Sequence, residues 1–592
     1  KLNYNLYICN ILLILLDLMY FFLSFFKNIF KQHFKITARI LFVIILIFFS
    51  TTHSKTLERY NKAKNISDYF SGVILLNQNQ YQESQKYLKK LDGLEVTHSN
   101  YTLKYLYSLI NSGNFNQAFN YSKKLGKISM DNYESNLIMG VYYLKNSKLD
   151  ISKKYFLNAK KNSRSLLDAY ISDSLYFWTD AGNLKLEKAE QNFKKLDTRF
   201  NNFQKIQNTF LNCFFNSDKT IKYYEDLITN QKTDFSRYNY FYAQYLNDNN
   251  KKETSIKVIH EALQKNPRNL LLNQFKLDLD SNTISNFDCE NQAHIIAEIF
   301  YISANALSSQ SIYPLSNFYL NLSKYLNQEF KAYDILIAEN FYNINDLHSA
   351  KKTYKKFFNY GSAFKWHAKK QISRILIQEN GKSKDVPLKL LEKAYNNLAN
   401  KGIYETFDYA EFLKNNEKFS LSIRYYTDIL EKINKKHPLY PEVKDSRGVA
   451  YERTDQWEKA EKDFLSSLEV SPNQAYVINY LAYSWIEKGM NIKKSLEMLK
   501  KANTLKSNDP YIIDSLGWAL FKLKRYQESK DQLQQAVKLM PADPIVNDHY
   551  GDVLWKNGQE IQARYYWNYV LSLKKAEEDL KGKIKIKIIK GL

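Results

Sequence analysis

Nine histidines (His33, His53, His98, His260, His294, His348, His367, His437 and His549) stand isolated from one another. No HExxH run sets two imidazoles and a carboxylate on one helical face, so zinc hydrolysis has no ligand set. Gly381, Lys382 and Ser383 spell the end of a phosphate-binding loop, but Leu376 and Ile377 stand where its opening glycine belongs and no strand precedes them. The match falls in a helix-to-helix loop. There is no GxSxG nucleophile elbow. Cys9, Cys213 and Cys289 lie far apart without a CxxC, so neither a disulfide framework nor a zinc site is expected. The sequence thus offers no catalytic, cofactor-binding or metal-binding residues.

Regular chemistry appears instead as carboxylates and aromatics at helical spacing near the C-terminus. Asp445, Val449 and Glu452 are followed by Asn479, Tyr483 and Ile486, then Asp514, Trp518 and Phe521, then Asp548, Asp552 and Trp555. Residues at i, i+4 and i+7 share one helix face, so each trio forms an acidic and aromatic stripe. In a chain of formal charge +24 this is a local inversion of sign. A basic or neutral polypeptide segment would be attracted to it and an acidic or phosphorylated one repelled. Trp518, Tyr483 and Trp555 offer contact area of the kind that anchors interfaces. The competing reading is that the tryptophans pack between neighbouring helices and that the acids pair with Lys or Arg of an adjacent repeat.

The elements that must position these stripes repeat. A small residue recurs at Gly448, Ala482, Gly517 and Gly551, in steps of 34, 35 and 34, and a second follows 12 or 13 residues on at Ala460, Ser495, Ser529 and Ala563. Four residues further comes a large apolar side chain (Phe464, Leu499, Leu533, Trp567), and Pro472 and Pro541 end two units. Such a unit is a helix pair that buries its apolar face only by stacking on its neighbours. The template also finds Gly72 with Ser84, Leu106 with Ala118 and Gly140 with Ser152, then Ala243 with Ser255, Ala338 with Ala350 and Ala410 with Ser422. Residues 160–230 and 268–330 keep helical spacing without small pairs and are expected to be repeats with lost signatures.

These residues resemble the tetratricopeptide repeat family, specifically over about 441–572, well over 66–160 and patchily between. Runs such as NYLAYSW, DSLGWAL and NDHYGDVLW are similar to the last repeats of bacterial envelope proteins of that family. The resemblance implies an all-α, right-handed solenoid of antiparallel helix pairs whose first (A) helices line a concave groove. It implies a non-catalytic scaffold for protein or peptide partners, in envelope assembly or maintenance. The family's clamp for C-terminal carboxylates uses Lys and Asn at the groove positions, and only Asn479 matches, so a chaperone-tail receptor is disfavoured. The candidate groove residues are Asn479, Tyr483, Asp514, Trp518, Phe521, Asp548, Asp552 and Trp555, with no cofactor.

Composition agrees with long helices. The 592 residues include only 16 Gly and 9 Pro, and the 44% hydrophobic and 15% aromatic content excludes disorder as the main state. The basicity follows an excess of Lys spread over nearly every helix instead of one stripe, so nucleic acid is not the expected partner. At the N-terminus the basic run Lys27, Lys31, Lys35 and Arg39 precedes the apolar stretch 40–49 and Ser50–Ser54, the pattern of a signal peptide, too short for the roughly 20 residues of a membrane span. An earlier apolar stretch, 11–26, makes a membrane hairpin or double anchor the alternative to a start at Met19. The expected organisation is a signal peptide or anchor (1–54), N-terminal repeats (55–280), degenerate repeats (281–400), a C-terminal array (401–574) and a basic tail (575–592). Export to the periplasm, or tethering to a membrane, is expected. A cytoplasmic scaffold or regulator, or a nucleic-acid-binding repeat protein, are the alternatives.

Overall fold

The computed structural model describes residues 63–230, 233–280, 286–380 and 385–592. The proposed targeting segment, residues 281–285 and the Gly381–Ser383 run lie outside them.

The described regular elements are helical. In chain order they begin with α1 (63–77), α2 (Tyr81–Leu88), α3 (Ser99–Asn111), α4 (Phe115–Lys127), α5 (Tyr133–Lys145), α6 (Leu149–Lys161), α7 (Leu166–Ala181), α8 (Leu186–Phe193), α9 (Asn201–Phe214) and α10 (Thr220–Ile228). There follow α11 (Tyr238–Asp248), α12 (Lys252–Lys265), α13 (Leu270–Asp280), α14 (Gln292–Ser309), α15 (Tyr313–Leu326), α16 (Tyr333–Asn343), α17 (Leu347–Lys356), α18 (Ser362–Asn380), α19 (Asp385–Asn396) and α20 (Ile403–Asn415). The last are α21 (Phe419–Leu430), α22 (Tyr440–Glu452), α23 (Trp457–Val470), α24 (Ala475–Glu487), α25 (Ile492–Leu505), α26 (Pro510–Lys522), α27 (Tyr526–Leu539), α28 (Pro544–Lys556), α29 (Glu560–Ser572) and α30 (Glu578–Lys590). Among the described residues no helix is long and apolar enough to cross a membrane.

The small residues sit where helices A and B cross. A Cβ on Gly448 would come within 2.7 Å of the Phe464 ring, and one on Gly517 within 2.6 Å of Leu533. Phe464, Leu499, Leu533 and Trp567 are fully buried at these crossings. Serine at the second small position does more than fit. Ser84, Ser152, Ser255 and Ser529 each donate 2.7–2.8 Å hydrogen bonds to the carbonyl of the small residue 12 positions earlier, tying B to A.

The same bond joins Ser316 to Ala304 across α14 and α15 at 2.7 Å, so a signature survives inside 268–330, where the sequence analysis expected none. A second regularity marks the repeats: a left-handed residue falls seven places after the first small residue, in the turn between A and B. It is Asn79, Ser147, Asn250, Ser311, Asn345, Glu417, Asp455 or Lys524, and glycine at 113, 489 and 558. Glycine, Asn and Asp tolerate that region; Glu417 and Lys524 hold it against their own preference. Asn216 at φ 47° gives the same signal between α9 and α10.

The described residues form two compact units. One holds residues 63–255 with those from 286 to 353; the other holds residues 256–280 and 354–592.

In the first unit, α15 packs back on the A-type helices α3 and α5, and α14 on α7. Phe115 stacks on Tyr325 at 3.5 Å, Tyr107 meets Phe318 at 5.0 Å, and the Tyr133 and Tyr319 hydroxyls are 3.3 Å apart. Lys145 donates to the Leu326 carbonyl and Gln292 to that of Trp178. Here the chain fills its own A-helix face. Cys213, at the end of α9, is disulfide-bonded to Cys289, just before α14, with a Cα separation of 5.9 Å. This corrects the expectation of unpaired cysteines: residues 76 apart in sequence are brought together by the return of α14 and α15 to the N-terminal repeats.

The second unit contains the strongest repeats, and its A helices α20 to α22, α24 to α26 and α26 to α28 contact one another directly. The stretch expected as a basic tail is helix α30, which seats Ile584 fully buried against α28 and α29 with Leu580 and Ile588 half-buried. Alternation of Lys and Ile hides the helical match: Leu580, Ile584 and Ile588 recur every fourth residue, and burial of that row decides the conformation.

Candidate functional site

Asp509 and Asp543, as N-caps, accept hydrogen bonds from the first backbone amides of α26 and α28, and Pro510 and Pro544 follow them at the first helical position. These caps fix where the two A helices start and therefore which side chains face one another from repeat to repeat.

The A-helix face is held together by a polar ladder. Each of four steps sets a carboxylate of one A helix against a donor of the next. Glu452 accepts from the Tyr480 hydroxyl at 2.9 Å, Glu487 from Trp518 Nε1 at 2.6 Å, and Asp514 faces His549 Nδ1 at 3.0 Å. Lys587 of α30 reaches Asp548 and Asp552, each at 2.7 Å.

Four of the candidate groove residues, Asp514, Trp518, Asp548 and Asp552, fall on this ladder. Asp514, Asp548 and Asp552 are 6%, 8% and 4% exposed, which makes them inter-repeat partners before anything else. Burial pushes His549 down, but the Asp514 carboxylate, helped by Asp548 and Asp552, holds its pKa above the ordinary value. Burial, and then the neighbouring Asp548 charge, push Asp552 up to about 6 against the pull of Lys587. Asp552 also accepts from Trp567 Nε1 at 3.0 Å. Asp445, three repeats earlier, is pushed up to about 6 by burial, with Lys414 opposing and Glu411 and Glu442 adding to the rise.

Trp518 is buried between Phe521, stacked at 4.8 Å, and His549, stacked at 4.0 Å. Trp555 is half-buried, with the Arg564 guanidinium 4.5 Å from its ring. Gly591 packs so closely on Trp555 that a Cβ would overlap the ring, and its φ of +76° favours glycine as well. Tyr483 and Asn479 are half-buried; burial raises the Tyr483 hydroxyl, and Asn479 Oδ1 is enclosed without a hydrogen-bond partner. The packing alternative for the tryptophans and the pairing alternative for the acids describe this geometry. Charge reversal at Asp514 and Asp548 is therefore expected to perturb stability.

What remains open on the A-helix face are residues the sequence analysis missed. Tyr476, Tyr511 and Ile545 are 55%, 57% and 44% exposed, at the second position of α24, α26 and α28. Each stands three residues before Asn479, Asp514 or Asp548, hence on the same side of its helix. That i−3 relation, at steps of 35 and 34, was the available signal. The Tyr476 hydroxyl donates to Asp509 at 3.0 Å and Lys506 Nζ lies 4.0 Å from its ring, so this ring is held in place while its outer side faces solvent. Among the described residues no group of three His, Cys, Asp or Glu converges as a metal site.

No protein-family model matches the chain. Over 107 residues it is 27% identical to the TPR repeat-containing protein PA4667 of Pseudomonas aeruginosa, a match covering 18% of each chain. The chain thus spans less than a fifth of that relative's length in the match. Among solved structures, a tetratricopeptide repeat protein from Parabacteroides merdae aligns with 44% of this chain and 98% of its own, at 15% identity and a TM-score of 0.36. MamA from Desulfovibrio magneticus RS-1 aligns with 30% of this chain and 97% of its own, at 16% identity and a TM-score of 0.26. YrrB, described as a TPR protein with an unusual peptide-binding site, aligns with 31% and 92%, at 15% identity and a TM-score of 0.26.

Proposed function

We propose that this chain, similar over part of its length to a TPR repeat-containing protein, is a non-catalytic scaffold of a bacterial cell envelope, exported or membrane-tethered, that holds a polypeptide segment along the A-helix face of its C-terminal repeats. The observation that carries this is the in-register row Tyr476, Tyr511 and Ile545, apolar and open on a face where Asp514, Trp518, Asp548 and Asp552 are engaged within the chain. Aromatic rings of this kind give large contact area at low ordering cost. The partner segment is of basic or neutral character, because the ladder behind the row is rich in carboxylates and only part of that charge is met by Lys587 and His549. In this reading the repeats of each unit would wind as a right-handed solenoid. The first unit presents no equivalent open face around α3, α5 and α7, so a second partner would meet it elsewhere.

The Cys213–Cys289 bond supports the compartment, since such bonds persist in oxidising surroundings such as the periplasm. The test has two arms. A C-terminal reporter active only outside the cytoplasm is expected to be active; an inactive reporter refutes export. A photo-crosslinking residue at 511 is expected to capture a polypeptide that the same residue at the exposed B-helix position 535 does not. Equal capture at both positions refutes the A-helix face as the docking surface.

A further inference from the structure

Helix α30 turns one face to the repeats and another away from them, and both are apolar. The inner face is Leu580, Ile584 and Ile588 with Lys587 drawn to Asp548 and Asp552. At about 100° per residue, Ile586 and Ile589 lie roughly 200° and 140° from Ile584, on the far side. They are 58% and 77% exposed, and Leu592 just beyond is 44% exposed. Lys583, Lys585 and Lys590, all exposed, flank the pair, Lys583 being ion-paired with the exposed Asp579 at 2.8 Å. Arg564 of α29 donates to the Ile588 carbonyl at 3.0 Å, and on either side of it in sequence Ile561 and Tyr565 are 83% and 68% exposed.

A single exposed isoleucine carries no information. Two on one face of a short helix, ringed by lysines and bordered by a further apolar stripe, form the pattern of a helix that lies in a lipid interface. A second copy of this helix would bring lysine against lysine, so self-association through this face is opposed by charge. A surface offering both negative charge and apolar depth satisfies the two demands together. We propose that the outer face of α30 docks on an anionic lipid bilayer, with Ile586 and Ile589 entering the headgroup boundary and Lys583, Lys585 and Lys590 meeting lipid phosphates. This surface is separate from the Tyr476–Tyr511–Ile545 row and stands whether or not that row binds a partner.

Hydrogen exchange of the full chain, read at peptides covering 578–592, gives a local test that apolar residues near the N-terminus do not confuse. Vesicles of phosphatidylcholine with phosphatidylglycerol are expected to slow exchange there by about threefold or more, and phosphatidylcholine alone to leave it unchanged. Ile586→Ser with Ile589→Ser, and separately Lys585→Gln with Lys590→Gln, are expected to abolish the slowing; all four positions are exposed, so the fold is kept. Unchanged exchange, equal slowing by both vesicles, or slowing that survives the isoleucine substitutions each overturn the proposal. Slowing without vesicles that grows with protein concentration overturns it in favour of a second copy.

Discussion

Replacing Cys213 and Cys289 together by serine removes the one covalent tie between α9 and the segment that leads into α14. The bond spans 76 residues, and for a loop of that length the chain-entropy relation gives about −15 cal/mol/K, or about 4.5 kcal/mol at 25 °C, as an upper value. The loop includes residues 256–280, which fold with the other unit, so a single unfolding free energy is not defined for the whole chain. The appropriate assay is native-state hydrogen exchange at peptides within 203–214 and 292–309. Slowly exchanging amides there should lose about 2–4 kcal/mol of protection in the double variant, roughly a thirtyfold to thousandfold faster exchange. Amides of α24–α28 should change little. A loss below about 0.5 kcal/mol in the first unit would refute the argument, as would free thiols at both cysteines in protein alkylated before extraction.

Lys524 holds φ at +60° in the turn between α26 and α27, so Lys524→Gly is expected to raise stability by about 0.5–1 kcal/mol despite glycine's larger unfolded-state entropy; a lower melting temperature would contradict this. Lys587→Met removes the ammonium that Asp548 and Asp552 share and is expected to destabilise the last repeat by about 3 kcal/mol; urea unfolding followed by tryptophan fluorescence would show it, and an unchanged midpoint would not fit. Asp445 and Asp552, pushed up to about 6 by burial, bind protons more tightly folded than unfolded. Their contribution is full below the unfolded value near 4 and is lost as pH rises through about 6. His549, raised by Asp514 against the effect of burial, acts with the same sign: its contribution is full below about 6.5 and lost above its folded value. The C-terminal unit should therefore melt at a higher temperature at pH 5.5 than at pH 7.5, and the opposite order in calorimetry would refute the assignment.

Much of the C-terminal unit was legible from local spacing. The small residues at steps of 34 and 35 locate the helix crossings because a close approach leaves no room for a side chain, and that constraint acts within one repeat. The left-handed turn residues were less legible, since Glu417 and Lys524 are not residue types that advertise positive φ. The site was half legible. The i, i+4, i+7 rule put the right side chains on one face but could not say which of them the next repeat would claim. Asp514 is taken by His549 across 35 positions, and Asp548 by Lys587 across 39. Tyr476 and Tyr511 stay open because the ladder closes behind them.

By itself the sequence determined an all-helical chain of stacked pairs, because the apolar and small residues that fix each pair are neighbours within about one repeat length. Only the tertiary structure decided the three features that depend on distant partners: the return of α14 and α15 onto the N-terminal repeats, the Cys213–Cys289 bond that follows from it, and the seating of α30 on the last repeat. The physical reason is the same in each case. A helical pattern states which face is apolar, but the identity of the surface that covers it is set by what the rest of the chain leaves uncovered.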